Sequence, residues 1–314
     1  MLEGEPSLSR WLGCGREEIR RWVLSQPDST VLGWPYNGTR RWYLLRQREE
    51  RASDGYLKTL VRRQAEHHGL VFEHGVRVIL APSFGAETLK RGESYTRAAL
   101  KGLVMLAEDE LYQLMISSGT RIGFYGDYRN VLDTPEYRPV LRTLDELEHS
   151  SASGEGPLLL FGLFADDPHP ALARLSVEFA EREGHPPSRE QLILLYYGYP
   201  VPDLSLYIGF ERPEMFDVPL VATGLENLYF TLTPSPDLSE RQLREILYDH
   251  FVTRRQPPPS YEDLSEEALQ RLARYQKERQ EITVGVGEYD QQTGLWRPWL
   301  YTDSVGNSSE AAQD

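Results

Sequence analysis

Cysteine is almost absent from this chain: Cys14 is the single one among 314 residues. No intrachain disulfide can form, and no multi-cysteine metal site can be built. Long apolar runs are missing as well. No stretch approaches the ~20 apolar residues of a membrane-spanning helix, and Glu3, Glu5 and Arg10 interrupt the start where a secretory leader would be apolar. The expectation is a cytoplasmic protein with at most peripheral membrane contact. Positive charge is scarce too, with 34 Lys and Arg against 48 Asp and Glu and a net charge of −14. That balance argues against nucleic acid as a partner, because phosphate-backbone affinity needs many cationic contacts. A diphosphate needs only a local basic cluster, so the acidic total leaves one open. Internal repeats and low-complexity segments are lacking.

What is abundant is aromatic: 18 Tyr, 10 Phe and 6 Trp, in a chain 40% apolar and 26% charged. Such a composition is globular, and the aromatics suit either a large core or a deep apolar cavity. The length fits one large domain, read as 29–300, with an N-terminal extension at 1–28 and a disordered tail at 301–314.

The hydrophobic pattern alternates short apolar runs with amphipathic stretches. Strands are expected at 30–34, 76–81, 121–125, 157–164, 204–208 and 228–232. Between them the 3, 4 spacing predicts helices from 55 to 72, from 95 to 115, at 170–183, at 188–196 and at 239–251. A short helix precedes the first strand at 16–25; a charged helix at 264–280 and a hairpin of 282–287 with 295–299 follow the last. The charged segment 46–54 and the serine-rich segment 150–154 read as loops, and three prolines at 257–259 as a stop. The fold class is therefore α/β, a central, mostly parallel six-stranded sheet flanked by helices.

In such sheets ligands bind beyond the carboxyl ends of the strands. There lie Asn37-Gly38-Thr39-Arg40-Arg41-Trp42-Tyr43, the segment from Ser83 and Phe84 to Arg91, Gly126-Asp127, and Gly209 to Arg212. Paired guanidiniums after a glycine suit a phosphorylated ligand, because the fork matches phosphate and glycine lets the backbone approach. Solvated charges at a strand end explain the same pair equally simply.

These residues, with Phe124-Tyr125-Gly126-Asp127 and Leu228-Tyr229-Phe230-Thr231, resemble the cis-prenyltransferase (undecaprenyl diphosphate synthase) superfamily. More narrowly they resemble its small diterpene-synthase branch, that of the tuberculosinol and kolavelool synthases. The likeness runs from about 31 to 287 with the motifs in order. It implies the cis-prenyltransferase fold, a homodimer, and an isoprenoid diphosphate as substrate. Gly38, Thr39, Arg40 and Arg41 match the first diphosphate-binding motif; Arg91 falls in the second, beside Ser83 and Phe84; Arg212 is a further candidate cation. Tyr56 and Tyr95 match tyrosines placed near the reacting carbon, although both also fit as core positions on amphipathic helices. With Asn37 they form the candidate catalytic set, and Trp42 and Phe84 the candidate hydrocarbon pocket.

Two departures bear on chemistry. The family's aspartate is Asn37 here, and the glutamate that completes a magnesium site is Asn227. Neutral amides offset the dehydration of Mg2+ poorly, so the cofactor the resemblance implies is in doubt. The family's Arg-Thr-Gly-Gly-Glu reads Tyr207-Ile208-Gly209-Phe210-Glu211, and the lost arginine argues against chain elongation. The resemblance then implies a synthase that ionises a C20 allylic diphosphate and releases an alcohol or olefin. A transferase to a nucleophile such as a nucleoside, and a non-catalytic binding or partner subunit, stay open. Asn37 cannot be a general base; Asp127 or diphosphate itself stand as alternatives. His67, His68 and His74 lack a convincing third ligand for a metal, and Asp166-Asp167 reads as a loop and helix start rather than an aspartate-rich motif.

Overall fold

The computed structural model describes residues 6–27, 30–50, 55–85, 90–165, 167–216, 218–256 and 260–299, the side chains of 47–50 excepted. The prolines at 257–259, Asp166, the 51–54 part of the charged loop and the tail lie outside these residues. The chain divides into two compact units, one of 1–210 with 214–255, the other of 211–213 with 256–314.

In the first unit the order is α1 (Leu8–Gly13), α2 (Arg16–Leu24), β1 (Val31–Gly33), α3 (Thr39–Glu50), α4 (Tyr56–Glu73), β2 (Val78–Phe84), α5 (Glu93–Glu108) and α6 (Glu110–Ser117). There follow β3 (Arg121–Tyr125), α7 (Tyr128–Leu132), α8 (Arg138–Ser151), β4 (Leu158–Leu163), α9 (Pro168–Glu183), α10 (Arg189–Tyr197), β5 (Leu206–Phe210), β6 (Asn227–Thr231) and α11 (Glu240–Tyr248). The second unit holds α12 (Glu266–Arg279) and a hairpin of β7 (Gly287–Asp290) and β8 (Leu295–Pro298), whose first strand starts later than its apolar pattern predicted.

The six strands of the first unit form one sheet in the order β3-β4-β2-β1-β5-β6, every pairing parallel. β1 and β4 are buried at every residue, as strands covered on both faces must be. Alternate residues serve the two faces. Leu32, Ile79, Leu159, Phe161 and Ile208 point into the larger core beneath α1, α2, α4, α5, α6, α8 and α11. Val31, Val78, Leu80, Leu158 and Leu160 face α9 and α10. This is the parallel six-stranded α/β sheet that the sequence pattern predicts.

Several elements differ from the sequence expectation. Residues 46–50 continue α3 rather than forming a loop, because nothing between Thr39 and Glu50 breaks a helix; Arg40 and Arg41 therefore sit in a first helical turn. The helix expected from 95 to 115 is two, divided at Asp109, whose carboxylate caps the second by accepting from the Leu111 N–H at 2.9 Å. β2 runs through Pro82 to Phe84, since a register shift against β4 accommodates the missing N–H. Helix α8 was not anticipated. It extends to Ser151, inside the presumed loop, where the buried Ser151 hydroxyl meets the N–H and carbonyl of Ile122.

The described residues 6–27 of the N-terminal extension dock on the core of the first unit. Trp11, Ile19 and Val23 belong to the main core, and side chains of this kind each contribute about 1.5–3 kcal/mol when fully buried. Trp11 Nε1 donates to the Arg244 carbonyl at 2.8 Å, while Arg244 Nη1 donates to the carbonyls of Leu12 and Cys14 at 3.0 and 2.7 Å.

Candidate active site

The turn from β1 into α3 is held by its main chain. Gly38 has φ of +75°, and a Cβ there would lie 2.7 Å from Phe210 Cε1 and 2.8 Å from Pro234 Cβ, so only glycine fits. The Asn37 N–H donates to Ser235 Oγ and the Ser235 N–H to the Asn37 carbonyl, both at 3.0 Å. Helix α3 then begins at Thr39. Its first N–H groups have no carbonyl a turn earlier to bond, which favours an anion at this end.

The turn borders a cavity of about 730 Å³. Asn37, Gly38, Thr39, Arg40 and Arg41 line it from β1 and α3, Ser83 and Phe84 from the end of β2, and Arg91 and Tyr95 from the start of α5. Tyr95 lies between two cations: the guanidinium carbons of Arg40 and Arg91 are 5.2 and 5.1 Å from its ring centre, and Arg91 Nη1 donates to its hydroxyl at 3.1 Å. Arg41 lies 5.7 Å from the Phe210 ring. Tyr56 bonds Thr39, hydroxyl to hydroxyl, at 2.8 Å. Burial pushes its phenol pKa up, partly offset by that bond, so it is a neutral hydroxyl at physiological pH.

Away from the arginines the walls are apolar. Leu57, Leu60 and Val61 of α4 face Ala98, Ala99, Gly102, Leu103 and Leu106 of α5. Among the described lining residues there are three arginines and no carboxylate or histidine. A cationic mouth opening into an apolar hold accepts an amphiphile with an anionic head.

Other candidates lie elsewhere. Trp42 does not line this cavity. It is buried on another side of α3 and borders a second cavity of about 870 Å³ with Tyr43, Arg46 and Met105, because the 3.6-residue turn points it away from Arg40 and Arg41. Asp127, considered as a base, ends the edge strand β3, three strands from β1, and its carboxylate pairs with Arg174 at 3.1 Å and Asn130 at 2.6 Å. Arg212 belongs to the second unit, with its guanidinium 5.6 Å from the Tyr289 ring centre.

The two amides at the family's magnesium positions are far apart within the chain. Asn227 opens β6 at its amino end, paired with Leu206, whereas Asn37 lies past the carboxyl end of β1 and bonds Ser235, beyond the far end of β6. Four strand residues alone span about 13 Å. The Asn227 amide is engaged with His250 Nδ1 at 2.7 Å. Asn37 and Asn227 of one chain thus do not fit a shared Mg2+. Among the described residues no group of three or more His, Cys, Asp and Glu is placed to hold a metal.

Sequence reasoning missed Tyr36, Gln64 and Phe216, which also line the cavity. Tyr36 sits one residue before the recognised motif, and its hydroxyl meets His67 Nδ1 at 2.8 Å. Adjacency to the motif was the one available signal. Among the described residues no helix is long and apolar enough to cross a membrane.

No family model matches the chain. It is 35% identical over 266 residues to a tuberculosinyl adenosine transferase of Mycobacterium tuberculosis, covering 84% of this chain and 88% of that protein. A (+)-kolavelool synthase of Herpetosiphon aurantiacus is 25% identical over 77% of this chain and 78% of its own length. Among solved structures, lavandulyl diphosphate synthase of Lavandula x intermedia, in complex with dimethylallyl diphosphate, superposes with a TM-score of 0.59 at 14% identity, over 76% of this chain and 98% of that one. A probable undecaprenyl diphosphate synthase of Campylobacter jejuni gives 0.55 at 14% identity, over 74% and 99%. The chain belongs to the family of the tuberculosinyl adenosine transferase and has the fold of the cis-prenyltransferases.

Proposed function

We propose that this protein is a diterpene synthase that ionises a C20 allylic diphosphate and releases a terpene alcohol or olefin. The observation that carries the reading is the cavity's polarity: Arg40, Arg41 and Arg91 at one end, the apolar faces of α4 and α5 at the other, and no carboxylate among the described lining residues. In the first step the carbon–oxygen bond breaks and its electron pair leaves with the diphosphate. The arginines and the start of α3 hold the charge that develops there, and preorganised donors lower the barrier most where charge develops. The Tyr56 ring borders the cavity near the arginines, and cation–π attraction there supports the allylic cation. Water addition or proton loss ends the reaction.

A second reading is transfer of the same cation to a nucleoside. It is favoured by the relative at 35% identity, whose name states an adenosine acceptor.

The test is incubation of purified protein with geranylgeranyl diphosphate and, separately, bicyclic C20 diphosphates, with and without magnesium, reading products by gas chromatography and mass spectrometry. A discrete alcohol or olefin without added acceptor establishes the synthase. Product formed only when a nucleoside is present establishes the transferase. Calorimetric binding without turnover of any kind would show a non-catalytic binding subunit.

A further inference from the structure

Quenching an allylic cation liberates a proton, and the residue at the family's aspartate position is an amide that cannot take it. Resting on the synthase reading, we propose that Tyr36 and His67 form the acid–base pair that receives this proton, Tyr36 as the catalytic residue facing the cavity and His67 as the buried acceptor behind it.

Three tyrosines line the cavity, and their hydroxyls have different partners. Tyr56 meets the Thr39 hydroxyl. Tyr95 accepts from Arg91 and lies against two guanidiniums, where an added positive charge is unfavourable. Tyr36 alone leads to a basic side chain, His67, buried at 3% exposure behind the cavity wall.

The role requires the tautomer with its ring proton on Nε2, in which bare Nδ1 accepts from the Tyr36 hydroxyl. The phenol oxygen then has lone pairs left to accept a proton from the cavity that Tyr36 lines.

The step balances. A water oxygen gives an electron pair to the cation and the carbon–oxygen bond forms. The resulting oxonium loses a proton to Tyr36 Oη as Tyr36 passes its own proton to His67 Nδ1, leaving a neutral alcohol, a neutral phenol and an imidazolium. Where an olefin forms, the carbon–hydrogen electron pair becomes the double bond and the proton follows the same route. Return of the proton through Tyr36 to the departing diphosphate or to solvent resets the pair.

Burial, with Arg63 nearby, lowers His67 to about 4. A base this weak still takes a proton from an oxonium, which is a far stronger acid, and it stays neutral and ready through the physiological range. The charged and titratable groups around the pair are Arg63 and Glu66 on α4, Asp237 on the turn at 235–237, and neighbouring His68, itself lowered to about 3 by burial.

The experiment compares Tyr36→Phe, His67→Gln and the double variant with the unaltered protein, using whichever C20 diphosphate the latter converts. Each single change should lower kcat on the order of a hundredfold, with little change in KM and an altered alcohol-to-olefin ratio. The double variant should be no slower than the worse single one, since the two act as a unit. As a control, Tyr112→Phe removes the hydroxyl that meets His68 at 3.1 Å in a neighbouring buried pair, and should leave kcat and product ratio unchanged. Unchanged kcat and ratio in Tyr36→Phe, additive losses in the double variant, or an equal loss in Tyr112→Phe would each overturn the assignment while the synthase reading survives. No conversion of any C20 diphosphate by the unaltered protein would overturn both.

Discussion

Asn37 and Ser235 exchange two hydrogen bonds of 3.0 Å across 198 residues of sequence, the Asn37 N–H donating to the Ser235 hydroxyl and the Ser235 N–H to the Asn37 carbonyl. The pair ties the diphosphate-binding turn to the segment after β6. Ser235 is 2% exposed, and its hydroxyl also lies 3.3 Å from the Pro35 carbonyl, so the turn is set before any ligand arrives.

Ser235→Ala leaves the Asn37 N–H and the Pro35 carbonyl without that partner, at a cost of about 1–3 kcal/mol. Chemical denaturation should show this loss, and calorimetry a parallel weakening of inorganic diphosphate binding. Normal stability and affinity would mean the turn is held by its other contacts.

Arg40→Ala, Arg41→Ala and Arg91→Ala should each weaken diphosphate binding, by about 1.5–3 kcal/mol if each makes one charge-assisted hydrogen bond. Circular dichroism should show an intact fold. Added salt should weaken the parent protein's binding, because the mouth is exposed to solvent.

Gly102→Leu adds bulk to the apolar end, where the nearest atom to a built Cβ is Leu57 Cδ2 at 3.6 Å. Helix propensity rises by about 1 kcal/mol, so stability should hold. Turnover of C20 diphosphates should fall on the order of tenfold relative to C10 ones. An unchanged ratio of kcat/KM values would place the hydrocarbon elsewhere.

Chelation should leave activity largely intact. EDTA titration of the turnover assay measures this, and strict magnesium dependence would point to a site built from residues other than Asn37 and Asn227.

The N-terminal contacts carry an acid dependence. Hydrogen bonds from Arg16 lead the causes that lower Glu240 from 4.5 to about 2, despite the opposing effect of burial. A carboxyl depressed on folding stabilises above its unfolded value and loses that contribution as pH falls from about 4.5 through about 2. Melting temperature should drop over that window, and less so in Glu240→Gln, which should itself cost about 1 kcal/mol at neutral pH because the group is partly solvated.

The sheet was legible because its inner strands are nearly unbroken apolar runs. The short helix α7 and helix α8 escaped because their apolar residues lie among charges. At the site, Gly38, Arg40 and Arg41 stood out by chemistry. The apolar hold did not: Tyr95, Ala98, Ala99, Gly102, Leu103 and Leu106 have the spacing of an ordinary buried helix face, and periodicity cannot distinguish a face packed on side chains from one lining a void. His67 was weighed only as a metal ligand, and its role beside Tyr36 was hidden for another reason. Its partner Tyr36 is 31 residues away, and nothing local signals the pairing.

The bond from Trp11 to Arg244 joins positions 233 residues apart. On the ribosome, α2 meets α4 early, with Arg16 bonded to Glu73 at 2.7 Å, but α1 waits for α11, which emerges long after it. β1 likewise waits for β5 on one side. Trp11 is therefore among the last side chains secured, and a nascent chain halted before residue 244 would leave its indole without its acceptor.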